Sequence, residues 1–279
     1  MTARTVLITG CSTGIGRACA ERLARAGHTV YATARRLEAI EDLRAAGCRT
    51  LALDVTDEAS MTAAVEAVEA EQGAVGALVN NAGYSQSGAI ETLSIEELRR
   101  QFETNVFGLV RMCQLVLPRM RAAGRGRIVN MSSMGGNFTF PGGGAYHASK
   151  YAVEAISDAL RFEVGGFGVG VTVIQPGAIR TEFAETVSAR LPEGDGPYAQ
   201  FNAEVGRATR EAYEKGPMAR LGGEPDAVAK AVEKAIGARR APTRMRVTAS
   251  AHLLVTQRRL LPDRAWDAFL RTQFTRPRA

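Results

Sequence analysis

Short apolar runs rich in β-branched residues alternate along this chain with longer stretches whose apolar positions recur every three or four residues. The runs near 4–9, 28–33, 49–53, 76–80, 126–131 and 169–175, with a short last one near 244–248, predict buried strands. The longer stretches predict helices over 15–26, 36–46, 58–72, 94–122, 145–164 and 224–237. Strand and helix in alternation argue for an α/β fold, a doubly wound parallel sheet flanked by helices. From Glu182 to Leu221 the chain turns rich in Gly, Pro and charge and the pattern breaks. An insertion after a strand's C-terminal end is where a lid over a site would lie, a packed surface excursion being the alternative. Farther on, Ala265, Trp266, Phe269, Leu270, Gln273 and Phe274 fall at helical spacing. That apolar face must be covered by its own core, a second subunit or an anionic membrane surface; protein is expected rather than lipid. The expected organisation is one domain over 1–241, with 182–221 as lid, and an extension over 242–279 packed on it.

Length and composition agree. A chain of 279 residues with 46% hydrophobic residues is ordinary for one α/β domain with a substantial core. No apolar run approaches the roughly 18 residues of a membrane span. The first strand starts almost at Met1, so no cleavable signal is expected. Cys11, Cys19, Cys48 and Cys113 have neither metal nor disulfide spacing, which predicts reduced thiols and a cytoplasmic protein. The net charge of +6 is uneven: residues 239–279 carry ten Arg against two Asp, or +8, and the remainder carries −2. A basic tail can contact nucleic acid, anionic lipid or an acidic partner. Here a solvated face or subunit contact is expected, with no nucleic acid. The three histidines are far apart in sequence and no metal is expected.

The chemistry begins at the first strand. Thr9-Gly10-Cys-Ser12-Thr13-Gly14-Ile15-Gly16 follows it and opens a helix. Glycines let a backbone approach a pyrophosphate, and a helix N-terminus offers N–H groups and a positive dipole end to it. The spacing Gly-x-x-x-Gly-x-Gly differs from the usual dinucleotide fingerprint, and a tight turn is the bland alternative. At the end of the second strand stand Ala34-Arg35-Arg36, with no acid to accept from a ribose 2′-OH. A guanidinium there suits a 2′-phosphate, favouring NADP over NAD, unless both are surface arginines opening the next helix. Tyr146 and Lys150 stand one helical turn apart, so the ammonium is placed to lower a phenol pKa that is ordinarily ~10. Alone, such a pair is also what any amphipathic helix produces.

Together, Thr9-Gly-x-x-x-Gly-Ile-Gly16, Asn80-Asn-Ala-Gly83, Asn105, Ser133, Tyr146-x-x-x-Lys150 and Pro176-Gly177 resemble the classical short-chain dehydrogenase/reductases over about residues 4–237. Val30 to Arg36 and Leu261-Pro-Asp263 look most like the hydroxysteroid and retinol dehydrogenase-like branch. The resemblance implies a Rossmann-type fold and a catalytic set of Asn105, Ser133, Tyr146 and Lys150. It also implies that Asp54 and Val55 hold the adenine, that Asn81, Ala82 and Gly83 line the adenosine side, and that Pro176, Gly177, Ile179 and Thr181 grip the carboxamide. Ser133 would hold the substrate oxygen, with Ser132 the competing assignment. Asn105 would disrupt its helix and hold a water leading to Lys150. His147 is expected to be structural.

Tyr146 would exchange a proton with a secondary alcohol or ketone while Lys150 binds the nicotinamide ribose. Lowering a phenol by about three units takes roughly 4 kcal/mol, so a positive nicotinamide ring and a dry cleft would have to assist the ammonium. Tyr84, Met134, Phe138 and Phe140, with Phe183, Leu191, Tyr198 and Phe201 of the lid, predict an apolar pocket for a steroid-, retinoid- or lipid-like substrate. The resemblance also implies a homodimer or homotetramer paired through helices 94–122 and 145–164. A sugar-nucleotide epimerase is disfavoured by glycine spacing and length. A non-catalytic NADP-binding regulator or scaffold of the same fold remains the alternative, separable by turnover.

Overall fold

Successive residues of each central strand point to opposite faces of the sheet, and both sets are apolar. Val6, Ile8, Val30, Ala32, Ala77, Val79 and Val129 join one core cluster, whereas Leu7, Tyr31, Leu78 and Ile128 join another. A sheet apolar on both faces must be covered on both, which is the doubly wound arrangement. The computed structural model describes residues 4–192 and 196–277. Among these, seven strands form one parallel sheet in the order β3-β2-β1-β4-β5-β6-β7. They are β1 (Thr5–Ile8), β2 (Thr29–Ala34), β3 (Arg49–Ala52), β4 (Ala77–Asn80), β5 (Gly126–Met131), β6 (Val169–Pro176) and β7 (Arg244–Val247).

Helices α1 (Gly14–Arg25) and α9 (Pro225–Gly237) cover one face, burying Cys19, Ala20 and Leu23 against Val228, Val232 and Ile236. Helices α2 (Glu58–Gln72), α4 (Gly108–Ala122) and α5 (Gly144–Gly165) cover the other with Met61, Val65, Val68, Met112, Val116 and Val153. Each fully buried aliphatic side chain contributes roughly 1.5–3 kcal/mol relative to exposure. The order reverses between β1 and β4, so the carboxyl ends of these strands flank a crevice.

Two predicted helices differ in detail. The span 36–46 is a 3-10 segment, Leu37–Arg44. The span 94–122 is interrupted: α3 (Ile95–Phe102) passes through a π-helical turn, Glu103–Phe107, before α4. Asn105 sits inside that turn, and both ends of its amide are engaged elsewhere, as described below. A π turn inserts one extra residue and redirects the side chain that causes it.

The predicted lid region contains α6 (Phe183–Ser188), α7 (Ala199–Glu214) and α8 (Pro217–Arg220), while its residues 193–195 lie outside the described residues. Beyond β7, α10 (Ala249–Leu260) and α11 (Asp263–Gln273) form the tail. Its apolar face lies on the protein's own aromatic residues. Trp266 is buried, with ring centroids 5.5 Å from Phe138 and 6.4 Å from a stacked Phe140. Arg258 ties α10 to α11 through Asp263 at 2.6 Å.

Candidate active site

The loop between β1 and α1 is shaped by glycines that admit no side chain. Gly10 has φ +73°, and a Cβ there would meet the Ala82 Cα at 2.8 Å. A Cβ on Gly16 would drive into the Gly10 carbonyl oxygen and the Asn81 amide. Asn81 locks the loop from β4, donating from Nδ2 to the Thr9 and Gly10 carbonyls at 3.0 and 2.9 Å. Thr13 caps α1 without a side-chain hydrogen bond, and the first turn carries no acid. The uncapped N–H groups therefore face the crevice unopposed, which fits a bound pyrophosphate.

A cleft of about 610 Å³ runs from this loop to Ser133, Tyr146 and Lys150. Gly10, Ser12, Thr13, Gly14 and Ile15 line it at one end, with Arg35, Asp54 and Val55. Asn81, Ala82 and Gly83 form its middle, and Ser133, Tyr146, Lys150, Pro176, Gly177, Ile179 and Thr181 close the far end. Gly16, Arg36 and Asn105 are outside the lining. Gly16 is packed beneath the loop, Arg36 caps the 3-10 segment, and Asn105 is buried behind the wall.

Asn105 acts on backbone and helix alike. Its Oδ1 accepts from the Tyr84 N–H at 3.1 Å, and its Nδ2 donates to the Tyr84 carbonyl and the Ser149 Oγ, each at 3.0 Å. It thereby joins the strand β4 exit to α5, where Ser149 in turn donates to the Tyr146 carbonyl at 2.6 Å. The Ser133 Oγ accepts from the Gly135 N–H at 3.1 Å, and Ser133 and Tyr146 line the same end of the cleft. Ser132 borders the same cleft, but its Oγ is buried without a hydrogen-bond partner among the described residues. His147 is buried, its Nδ1 2.9 Å from the Gly135 carbonyl and its ring beside Phe138 and Phe140, so it is structural.

Burial works against the lowering expected of Tyr146. Burial pushes the Tyr146 phenol up to about 12, with the Ser133 hydroxyl opposing. Lys150 does not reverse this, because its Nζ donates to the Met131 carbonyl at 2.8 Å and stands 5.7 Å from the Tyr146 ring centre. Burial also brings Lys150 down to about 8, against the Glu154 carboxylate, which raises it. Adjacency on the helix was correct; the net shift is set by desolvation of both groups.

The pocket wall also differs from expectation. Tyr84 and Phe183 line the cleft, but Met134, Phe138 and Phe140 pack beneath the tail. Tyr198 and Phe201 line a second cavity of about 530 Å³, with Trp266 and Leu270, and Leu191 faces Gly206 of α7. The sequence reading missed Tyr213, whose ring is 5.5 Å from Phe183, itself 5.5 Å from Tyr146. Asn202, Val205 and Gly206 are buried on one side of α7, and Tyr213 continues that side, so helical periodicity held the signal. Arg100, Glu103, Glu182 and Arg190 make the mouth charged rather than apolar.

The sequence profile of the family described as short chain dehydrogenase matches residues 4–192. This chain is a short-chain dehydrogenase. The 3-ketodihydrosphingosine reductase of Bacteroides thetaiotaomicron is 44% identical over 185 residues, covering 66% of this chain and 67% of that protein. The NADPH-dependent 3-dehydrocapnine reductase of Ornithobacterium rhinotracheale is 35% identical over 274 residues, 95% of each. Among solved structures, a short-chain dehydrogenase from Streptomyces avermitilis superposes with a TM-score of 0.80 at 36% identity, covering 97% of this chain and 96% of that one. As a member of this family the short-chain dehydrogenase is an NAD(P)-dependent oxidoreductase. Among the described residues no helix is long and apolar enough to cross a membrane.

Proposed function

We propose that this short-chain dehydrogenase is an NADP-dependent reductase of ketones on amphiphilic, lipid-like molecules, with Tyr146 as the proton donor. The observation that carries the reading is the Ser133–Tyr146–Lys150 group at the aromatic end of a cleft that begins at an uncapped, glycine-rich helix N-terminus. A phenol raised to about 12 is protonated at neutral pH, the state needed to protonate a nascent alkoxide. Ser133 would hold the substrate oxygen against that phenol, and Lys150 would hold the nicotinamide ribose. Bound nicotinamide would supply the hydride, or accept it in the reverse reaction. Phe183 and Tyr213 would exclude water from the reacting carbon.

Arg35 is exposed at the adenosine end of the cleft with no acid beside it at the β2 tip, which favours a 2′-phosphate. Asp54 and Val55 would meet the adenine, and Pro176, Gly177, Ile179 and Thr181 the carboxamide. The substrate class follows from an aromatic inner end and a charged mouth, and accords with two relatives named for reducing 3-keto and 3-dehydro compounds. Phe107, Tyr151 and Phe162 are exposed along the π turn and α5, Phe162 at 91%, in keeping with a homodimer or homotetramer formed through these helices. Four unpaired, buried cysteines accord with a cytoplasmic protein.

The test is NADPH oxidation with long-chain 3-ketones, compared with short polar ketones and with NADH. Turnover preferring NADPH and long chains is expected. Cofactor binding without turnover of any carbonyl or alcohol would overturn it in favour of a nucleotide-binding regulator.

A further inference from the structure

Behind the catalytic pair lies a buried charge that the reaction as described does not use. Glu154 follows Lys150 by one turn of α5, and Tyr146 precedes Lys150 by one turn, so the three share a face. Glu154 is 8% exposed. Its Oε1 accepts from the Gln175 Nε2 at 2.9 Å, and its Oε2 accepts from the Arg244 Nε at 2.8 Å. Gln175 lies in β6 next to Pro176 and Gly177 of the cleft, and Arg244 opens β7 and also reaches Asp158 at 2.5 Å. A carboxylate is costly to bury, and two directed donors hold this one in place.

The surroundings of Lys150 make this carboxylate consequential. From β5 it meets only the Met131 carbonyl, at 2.8 Å. From the β4 exit it faces Gly83 and Asn105, both neutral. From α5 its Nζ stands 5.7 Å from the Tyr146 ring centre, and Glu154, one helical turn on, is buried on the same side of the helix without a direct ion pair to it. Facing Glu154 in turn are Arg244, Arg246 and, through Arg244, Asp158. A lysine buried to this degree would otherwise lose its proton near neutrality.

We propose that Glu154 is a positioning residue for catalysis: its carboxylate, anchored by Gln175 and Arg244, keeps Lys150 in the ammonium form that the cofactor ribose and Tyr146 require. The proposal rests on the reading of Lys150 and Tyr146 given above. It also gives β7 a part in the reaction, since the charge of its first residue, Arg244, offsets the carboxylate and so limits how strongly it acts on Lys150.

Glu154→Gln removes the charge and little else. The Gln175 Oε1 is buried without a partner among the described residues, so that amide can turn to accept from the introduced one. The sign follows: without the carboxylate Lys150 gives up its proton at lower pH, so the alkaline limb of kcat/KM moves toward acid by about one pH unit. NADPH affinity should weaken in the same window, measured by fluorescence titration from pH 6 to 9, while the melting temperature stays within a few degrees of wild type. Glu154→Asp should restore the wild-type limb. Arg244→Gln takes a cation away from the same cluster and should move the limb to higher pH. An unshifted limb in Glu154→Gln, or an equal loss at every pH with a lowered melting temperature, would overturn the proposal. If Glu154→Gln does not fold, an Arg244→Gln limb that is unmoved or moves toward acid overturns it equally. Full turnover in Tyr146→Phe or Lys150→Met would overturn the reading of the reaction itself, a distinct result.

Discussion

The Lys150 ammonium extends past the Tyr146 ring to the Met131 carbonyl, 2.8 Å away, and leaves the phenol to the Ser133 hydroxyl. Phenol and cation are thus turned to different neighbours. Carbonyl reduction as proposed requires Tyr146 protonated and Lys150 charged. With Tyr146 near 12 and Lys150 near 8, the proton is available throughout neutrality and Lys150 sets the alkaline limit. Reduction should therefore be full below about pH 7 and fall as pH rises through 8, read from a pH profile of kcat/KM at saturating NADPH.

Tyr146→Phe should retain NADPH binding and keep less than about a tenth of turnover, since it removes only the ionisable hydroxyl. Initial rates beside a cofactor titration decide it. Activity above that level would remove Tyr146 from the role of acid.

Arg35→Ala should weaken NADP binding by about 1.5–3 kcal/mol, the usual worth of a hydrogen bond to a charged group, and leave NAD nearly unchanged. Equal losses for the two cofactors would mean that Arg35 serves the fold alone. Arg36→Ala, outside the cleft, should change neither.

Trp266→Ala should cost about 3–5 kcal/mol, the range for emptying a buried aromatic site. Denaturant unfolding measures it. Truncation after Leu260 should likewise lower thermal stability, because it uncovers Phe138 and Phe140. A cut after Ala241 is a poorer test, since it also removes β7 and the Arg244 partner of Glu154. Binding to anionic vesicles should be negligible at physiological salt. Strong binding lost on truncation would instead assign the tail to lipid.

His147 should make stability pH-dependent. Burial lowers it to about 4, below the ~6.5 of an unfolded chain. Between these values the unfolded chain binds the extra proton, so stability is present above about pH 6.5 and is lost as pH falls toward 4. The loss amounts to roughly 3 kcal/mol at most. Urea titrations of wild type and His147→Asn across this window should show the slope flattened in the variant.

What this sequence determined by itself was the chemistry of near neighbours. Apolar period 2 or 3.6, the glycines of 10–16 and the turn between Tyr146 and Lys150 depend on contacts within a few residues, so the seven strands and the order of the site's parts were legible. Even the disturbance at Asn105 was legible through resemblance, although its form, a π turn clamped to the Tyr84 backbone, was not. Tertiary structure decided which distant segments meet. It set Tyr213 beside Phe183 near Tyr146, drew Phe138 and Phe140 to Trp266, and paired Glu154 with Arg244 ninety residues away. It also set burial against the lowering expected of Tyr146. Desolvation sums over every atom that displaces water, most of them remote in the chain, whereas a spacing of four counts only one neighbour.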